Sequence, residues 1–249
     1  MSEKFLKVEN LVVEYRTGGK VVHAVNNVSF ELERGKTLGL VGETGAGKTT
    51  IAKTILRVLP DAQAKVKSGK VILDGVDLLS LSEAAMRKVR GGQVTMVFQD
   101  PMTALNPIMK VGEQIAEVIR KHQTREDKTA REMAEDMLAM VGIPRERYGE
   151  YPHQFSGGMK QRVVIAMALA CNPHLLLADE PTTALDVTIQ AQVLDMMDDL
   201  KKKYNTAMIL ITHDLGVVGR MCDNVAVIYA GEVLEYGSNC LLYTSPSPR

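Results

Sequence analysis

The sequence predicts an α/β fold with a mostly parallel β-sheet. Short apolar runs typical of buried strands alternate with helical patterns through most of the chain. The N-terminal part differs, because Phe5–Tyr15 and Val21–Leu32 are rich in Val and flank the turn-forming Gly18 and Gly19, as in an antiparallel hairpin. With 249 residues, of which 45% are hydrophobic, the chain can build a sizeable core in one α/β domain.

The remaining elements follow from apolar periodicity and from turn-forming residues at their ends. A strand at Thr37–Val41 precedes a helix from about Gly47 to Leu59, and a strand at Lys70–Leu73 ends in a turn at Asp74 and Gly75. Further along, the pattern predicts a strand at Val94–Phe98, helical structure over Val111–Val141, a helix containing Val163–Ala170, a strand before Glu180, a helix over about Thr188–Tyr204, a strand at Ala207–Thr212, a short helix and a strand at Val225–Tyr229.

The segment Gly42–Thr49, GETGAGKT, fits the phosphate-loop pattern GxxxxGK[ST] and directly follows a predicted strand. Its glycines let successive backbone N–H groups turn inward around a polyphosphate, Lys48 reaches the β and γ phosphates, and the Thr49 hydroxyl can ligate Mg²⁺. A helix that begins near Gly47 adds its positive dipole end. The alternative is an ordinary glycine turn before a helix. The predicted nucleotide-binding residues of this loop are Gly42, Glu43, Thr44, Gly45, Ala46, Gly47, Lys48, Thr49 and Thr50.

Two carboxylates end the apolar run His174–Glu180, HLLLADE, as expected of a Walker B segment. Asp179 would hold Mg²⁺ directly or through water. Glu180, at the tip of the strand, would polarise a water against the γ phosphate as a general base. Paired acids after an apolar run also occur at helix N-termini, but a phosphate loop in the same chain favours the hydrolytic interpretation.

The segment Phe155–Arg162, FSGGMKQR, resembles the signature motif of the ATP-binding cassette (ABC) ATPases. The Ser156 hydroxyl and the amides of Gly157 and Gly158 would form a helix N-terminus that can face an anion. The resemblance implies that this anion is the γ phosphate of ATP bound to an opposing subunit. A serine N-cap followed by flexible glycines is the alternative, but it does not explain why the other motifs occur in the order typical of the family.

The resemblance implies roles for several further residues. Gln99 is similar to the Q-loop glutamine, which contacts Mg²⁺ and the attacking water and relays the nucleotide state to the membrane partner. Ala184, Leu185 and Asp186 resemble the D-loop, which crosses the dimer interface. His213 matches the switch histidine, which contacts the γ phosphate.

The implied cofactors are ATP and Mg²⁺. Tyr15 stands where members of the family stack an aromatic ring on adenine, although a tyrosine that ends an N-terminal strand serves packing about as often. Thr49, Gln99 and Asp179 are the implied metal contacts.

The resemblance also implies an architecture. It is an ABC ATPase cassette with a P-loop nucleotide core, an N-terminal antiparallel β subdomain and an α-helical subdomain inserted at about residues 100–160. The cassette would occupy residues 1–239. Composition agrees with a single cytosolic domain: Lys+Arg 30 balances Asp+Glu 30, which argues against a nucleic-acid partner, and no apolar run reaches the roughly 20 residues of a membrane helix. The three cysteines lack metal-site spacing, so reduced thiols are expected.

Longer strings narrow the resemblance. Four segments look like the D-type ATPase subunit of dipeptide, oligopeptide and nickel importers. They are QDPMTALNP from Gln99, YPHQFSGGMKQRVVIAMAL from Tyr151, ADEPTTALDVTIQAQ from Ala178 and ITHDLGVV from Ile211. This implies a peripheral ATPase on the cytoplasmic face of the plasma (inner) membrane. It would pair with an F-type ATPase subunit or with itself, under two membrane permeases that are fed by an extracytoplasmic solute-binding protein. The transported solute cannot be read from the sequence.

The likeness to this family stops near Asn239. D-type subunits normally continue through an extension with a cysteine cluster, whereas CLLYTSPSPR follows here. This segment looks like the translation of a transposase-type sequencing adapter, so residues 240–249 are expected to be a read-through scar on a truncated gene. A genuine Pro/Ser-rich tail is the alternative. In either case Cys240 is not expected to be a ligand.

Two other functions are alternatives to the importer ATPase. A soluble ABC ATPase of DNA repair or translation usually carries two cassettes or long insertions before the signature, and neither feature occurs here. A regulatory nucleotide-binding subunit without turnover would typically have lost the residue at Glu180 or His213, and both are present. The sequence therefore favours the importer ATPase.

Overall fold

A computed structural model describes residues 4–60, 62–183 and 185–239, and the chain divides into two compact units. The first unit comprises Met1–Met86 and Ala207–Arg249, and the second comprises Arg87–Thr206. The predicted limits of the cassette and of its helical subdomain stay predictions. The proposed scar at residues 240–249 lies outside the described residues.

The elements are numbered along the chain. The strands are β1 (Lys4–Thr17), β2 (Lys20–Glu33), β3 (Thr37–Val41), β4 (Ala64–Leu73), β5 (Val76–Asp77), β6 (Val94–Val97), β7 (Leu175–Asp179), β8 (Ala207–Thr212), β9 (Asn224–Tyr229) and β10 (Glu232–Ser238). The α-helices are α1 (Lys48–Ile55), α2 (Glu83–Val89), α3 (Pro101–Ala104), α4 (Val111–His122), α5 (Asp127–Met140), α6 (Gly157–Leu169), α7 (Val187–Tyr204) and α8 (Leu215–Met221).

An antiparallel sheet forms one part of the first unit, with strand order β2-β1-β4-β5. The predicted hairpin is confirmed, since β1 and β2 pair antiparallel from Lys4 opposite Glu33 to Thr17 opposite Lys20. The strand predicted from Lys70 begins earlier, at Ala64, because its first half pairs with the end of β1 opposite Tyr15. That first half is mostly solvent-facing and lacks the apolar run that would reveal it.

The other sheet of the first unit contains the phosphate-loop strand. β3 pairs in parallel with β8 on one side and with β9 on the other, and β10 pairs antiparallel with the outer side of β9. Every residue of β3 and β8 is buried, as expected for parallel strands covered on both faces. The strand β10 was not predicted as an element. It is an edge strand in which polar and apolar residues are both exposed, and its pairing with β9 reveals it.

The second unit contains a parallel pair of strands and most of the helices. β6 and β7 pair in parallel in the register Val94 opposite Leu175. The helical structure predicted over Val111–Val141 is present as two helices, because Gln123 leaves the helical region with φ −121° and α5 begins at Asp127. The side-chain amide of Gln123 instead donates to the carbonyl oxygen of Ala170 at 3.2 Å.

The helix α1 is shorter than predicted, since it ends at Ile55 rather than near Leu59. Arg57 adopts a left-handed conformation, φ +53°, and the amide of Val58 reaches back to the carbonyl oxygen of Lys53 at 2.9 Å. This bond closes the helix in the manner of a Schellman motif. The Arg57 guanidinium donates to the carbonyl oxygens of Leu78 and Leu81, so a tertiary contact stabilises the end.

Two cysteines of the described residues, Cys171 and Cys222, are buried. Neither forms a disulfide, and burial raises the pKa of the Cys171 thiol to about 11. Cys240 lies outside the described residues. Within the described ranges, no helix combines the length and the apolar character needed to cross a membrane.

The packing of α4 generates a stability prediction. A Cβ on Gly112 would lie 2.0 Å from Cδ2 and 2.3 Å from Cγ of Tyr148, whose hydroxyl donates to Glu113 at 2.9 Å. We expect Gly112→Ala to lower the free energy of unfolding by about 1–3 kcal/mol, because the ring must move out of a packed site. Gly149→Ala is the matched control, since its Cβ would meet nothing within 4 Å. Equal urea midpoints for the two variants would contradict the packing.

Candidate functional site

The segment Gly42–Thr49 lies between β3 and α1, as the phosphate-loop pattern predicts for a strand, loop and helix. Gly47 is the N-cap of α1 with φ +103°, so the helix begins at Lys48, one residue after the predicted start. A Cβ on Gly42 would stand 2.0 Å from the carbonyl oxygen of Ile228, and one on Gly47 would stand 2.2 Å from that of Ala24. Only glycine fits at these two positions, because backbone oxygens cannot move aside.

The ammonium group of Lys48 lies within this loop. The side chain is 5% exposed, and Nζ donates to the carbonyl oxygens of Gly42 at 2.7 Å and Glu43 at 2.8 Å. These bonds draw the first half of the loop around the cation. Carbonyl oxygens are neutral acceptors, so a phosphate oxygen is a stronger partner for the same ammonium group.

The rest of the loop differs in accessibility. Glu43, Thr44 and Gly45 are exposed, whereas Ala46 is buried and its carbonyl oxygen accepts from the amide of Gly231 at 3.0 Å. Thr49 and Thr50 are half-buried in the first turn of α1. The part of the loop before Ala46 is therefore open to a ligand, and the part after it is anchored.

In the second unit, the two predicted acids end β7 in different environments. Asp179 is the last residue of the strand and is 5% exposed. Glu180 follows in a left-handed conformation, φ +45°, which is strained for a residue with a Cβ. Its carboxylate oxygen Oε2 accepts hydrogen bonds from Nε2 of Gln99 at 2.8 Å and from Oγ1 of Thr183 at 2.9 Å. The structure therefore brings Gln99 and Glu180 together.

Ser156 begins α6, as predicted. Its hydroxyl accepts from the amide of Met159 at 3.4 Å, and its carbonyl oxygen accepts from the amide of Lys160 at 2.9 Å. The two glycines that follow differ. A Cβ on Gly157 would meet nothing within 4 Å, whereas one on Gly158 would stand 2.6 Å from Cγ2 of Ile189. Gly157 is thus the more open of the two, and Gly158 packs closely against Ile189 of α7.

No sequence pattern indicates Arg147, which contacts residues before and after Ser156. Its guanidinium donates two hydrogen bonds to Oε2 of Glu150, at 2.6 and 2.8 Å. It also donates to the carbonyl oxygen of Gln154 at 3.1 Å and to Sδ of Met159 at 3.2 Å. The same group stacks on the ring of Phe155, 4.2 Å from its centroid. The hydrogen bond from Arg147 lowers the pKa of Glu150, and the same bond raises the pKa of Arg147. One planar cation therefore joins residues before and after the signature serine.

The other predicted site residues lie on separate elements. Asp186 is the N-cap residue of α7, and its carbonyl oxygen accepts from the amide of Gln190 at 2.8 Å. Leu185 precedes it, and Ala184 lies outside the described residues. In the first unit, His213 is exposed at the end of β8, and Tyr15 is half-buried in β1.

Strand, phosphate loop and helix in a parallel sheet define the class: this is a P-loop nucleotide-binding protein. The ABC transporter family model matches residues 25–183, and the chain belongs to that family. It is 50% identical to the oligopeptide transport ATP-binding protein OppD of Bacillus subtilis (strain 168) over 98% of this chain and 68% of that protein. It is also 50% identical to the dipeptide transport ATP-binding protein DppD of the same organism, over 98% of this chain and 73% of that protein.

Solved structures are similar as well. The dimeric post-hydrolysis state of the ATP-binding cassette MJ0796, bound to ADP and Pi, superposes with a TM-score of 0.83 and 28% identity over 94% of this chain and 98% of that one. The protein cbiO1 of Clostridium perfringens, part of the ABC transporter complex cbiONQ, gives 0.82 and 26% over 98% of this chain and 92% of that one. The predicted family and fold class are confirmed.

The Arg147 contacts generate a second stability prediction. Arg147→Lys keeps the charge but loses the planar fork, so it cannot hold Glu150, Gln154 and the Phe155 ring together. We expect a loss of about 1–2 kcal/mol in the free energy of unfolding. Arg145→Lys is the control, because Arg145 pairs with Asp136 on the surface, where such a pair contributes little. Equal unfolding curves for the two variants would show that Arg147 does not organise this segment.

Proposed function

We propose that this chain is the ATP-hydrolysing subunit of an ABC importer of dipeptides or oligopeptides. The observation that carries the proposal is the 50% identity over 98% of the chain to relatives named for oligopeptide and dipeptide transport. A structural neighbour bound to ADP and Pi supports hydrolysis. A soluble ATPase of DNA repair or translation is not favoured, because these relatives are transport proteins.

The phosphate loop is proposed to bind the nucleotide. The ammonium group of Lys48 would leave the carbonyl oxygens of Gly42 and Glu43 and bind phosphate oxygens instead. Phosphate oxygens are negatively charged, so they stabilise the buried positive charge of Lys48 better than neutral carbonyl oxygens do. The backbone amides of the loop and of the first turn of α1 would donate to the same phosphates. Tyr15 is proposed to stack on the adenine.

The oxygen donors of this chain fit Mg²⁺. Thr49, Gln99 and Asp179 would hold it with a hydroxyl, an amide oxygen and a carboxylate, the hard donors that this ion prefers. No group of three or more His, Cys, Asp or Glu in the described ranges could hold a metal. Mg²⁺ usually binds through one or two carboxylates and completes its shell with water and phosphate. When bound, Mg²⁺ would neutralise charge that develops on the phosphates.

Glu180 is proposed as the general base for the attacking water. Its carboxylate is oriented by the hydrogen bonds from Gln99 and Thr183, and a carboxylate can accept a proton from an attacking water. Gln99 is proposed to contact the metal and the water in the nucleotide-bound state, and His213 the γ phosphate.

Assembly is proposed to complete the catalytic site. Ser156, Gly157 and Gly158 would bind the γ phosphate held by an opposing ATPase subunit, either an F-type partner or a second copy, and Asp186 would lie at that dimer interface. The complex would sit peripherally on the cytoplasmic face of the membrane, under two permeases fed by a solute-binding protein.

The roles of Lys48 and Glu180 are separable. Glu180→Gln should retain ATP binding and lose roughly 10²- to 10⁴-fold in turnover, the usual contribution of a positioned general base. Lys48→Ala should weaken nucleotide binding itself, because it removes a charge from the phosphate site. Glu132→Gln and Lys128→Ala serve as charge-matched controls, because Glu132 and Lys128 are exposed on α5. ATP affinity and phosphate release would be measured for all four; near-normal turnover of Glu180→Gln would refute its role as the base.

The signature segment can be tested by its charge. Ser156→Glu should impair the ATP site whose phosphate loop belongs to the partner, by like-charge repulsion at the γ phosphate, and leave ATP affinity at this chain's Lys48 intact. Ser156→Asn is the control, since asparagine also caps helices but is neutral. Nucleotide occupancy of each site would be measured in the assembled complex. Loss of ATP binding by the isolated Ser156→Glu chain would contradict action across a dimer.

A further inference from the structure

Thr183 lies in a tight turn that starts at the proposed general base. The amide of Thr183 donates to the carbonyl oxygen of Glu180 at 3.3 Å, and its hydroxyl donates to Oε2 of the Glu180 side chain at 2.9 Å. Pro181 fixes the backbone between them, and Glu180 itself is held at φ +45°. The turn therefore ties both the backbone and the carboxylate of Glu180 to one residue.

Two donors share the same carboxylate oxygen, and they differ in how they are attached. Gln99 lies in the segment after β6 and donates to Oε2 of Glu180. In the proposed reaction, Gln99 also contacts the metal and the attacking water. Thr183 belongs to the same turn as Glu180, and nothing in the proposed reaction draws it away. When Gln99 is engaged elsewhere, the hydroxyl of Thr183 still restrains the carboxylate.

We infer that Thr183 is the positioning residue of Glu180, fixing the carboxylate by a hydrogen bond to Oε2 so that the base is oriented during hydrolysis. The inference rests on the proposed function, because it acts through Glu180. A flexible glutamate has several rotamers, and loss of alignment at a reacting group can cost up to about 10²-fold in rate. Thr183 itself need contact neither the nucleotide nor the water.

Removal of the hydroxyl tests the inference. Thr183→Val keeps the shape of the side chain and should lower kcat roughly 10- to 100-fold, with KM for ATP and the Tm nearly unchanged. Thr183→Ser keeps the donor and should restore most of the activity. Thr129→Val is the matched control, because Thr129 makes the same type of bond, Oγ1 to Oε2 of Glu126 at 2.7 Å, at the start of α5. It should leave kcat unchanged.

The double variant Glu180→Gln/Thr183→Val separates a positioning role from an independent one. If Thr183 acts through Glu180, adding Thr183→Val to Glu180→Gln should change the residual rate by less than about 2-fold. The rates would be measured as single turnovers in assembled transporters. In these transporters, the other ATP site would either be disabled or carry the same variant. Thr183→Ala replaces Thr183→Val if the latter lowers the Tm.

Four outcomes would overturn the inference, and three of them leave the proposed function standing. If Thr183→Val has a normal kcat while Glu180→Gln loses most of its activity, the role of Thr183 is refuted and the proposed function still stands. The same holds for multiplied losses in the double variant, or for a Thr183→Ser variant as slow as Thr183→Val. Near-normal turnover in Glu180→Gln would instead remove the base on which both proposals depend.

Discussion

The phosphate loop depends on carbonyl oxygens that approach the chain where a side chain would otherwise stand. The oxygens of Ile228 and Ala24 lie 2.0 and 2.2 Å from the positions that Cβ atoms would take on Gly42 and Gly47. The buried ammonium of Lys48 completes the loop by bonding the oxygens of Gly42 and Glu43. Glycine, lysine and the strands that carry these oxygens are therefore required together, and the start of α1 follows from them.

In the second unit, hydrogen-bond donors from Gln99 and Thr183 surround the carboxylate of Glu180. Glu180 takes an unfavourable backbone conformation at the end of a buried strand, and this strain is offset by the turn that ends at Thr183. Such strained conformations cluster at active sites and ligand-binding sites. Arg147 provides the comparable support for the signature segment, since one guanidinium bonds or stacks on residues on either side of Ser156.

The features that the sequence did not reveal share a cause. The end of α1 depends on Arg57 reaching the carbonyl oxygens of Leu78 and Leu81, and the break between α4 and α5 is accompanied by a bond from Gln123 to Ala170. The edge strand β10 exists because β9 offers it a partner. Each of these features is fixed by a contact distant in sequence, which local periodicity does not record.

The sequence by itself determined the family, the strands β3, β7 and β8 and the residues proposed to bind and hydrolyse ATP. These could be predicted because buried parallel strands are continuous apolar runs and because phosphate binding constrains residue type at fixed spacing. Only the tertiary structure decided that Gln99 and Thr183 donate to one oxygen of Glu180, that Arg147 holds the signature segment, and that Gly158 but not Gly157 is packed closely. Hydrogen-bond and packing partners are chosen by proximity in space, and the chain carries no periodic signal for them.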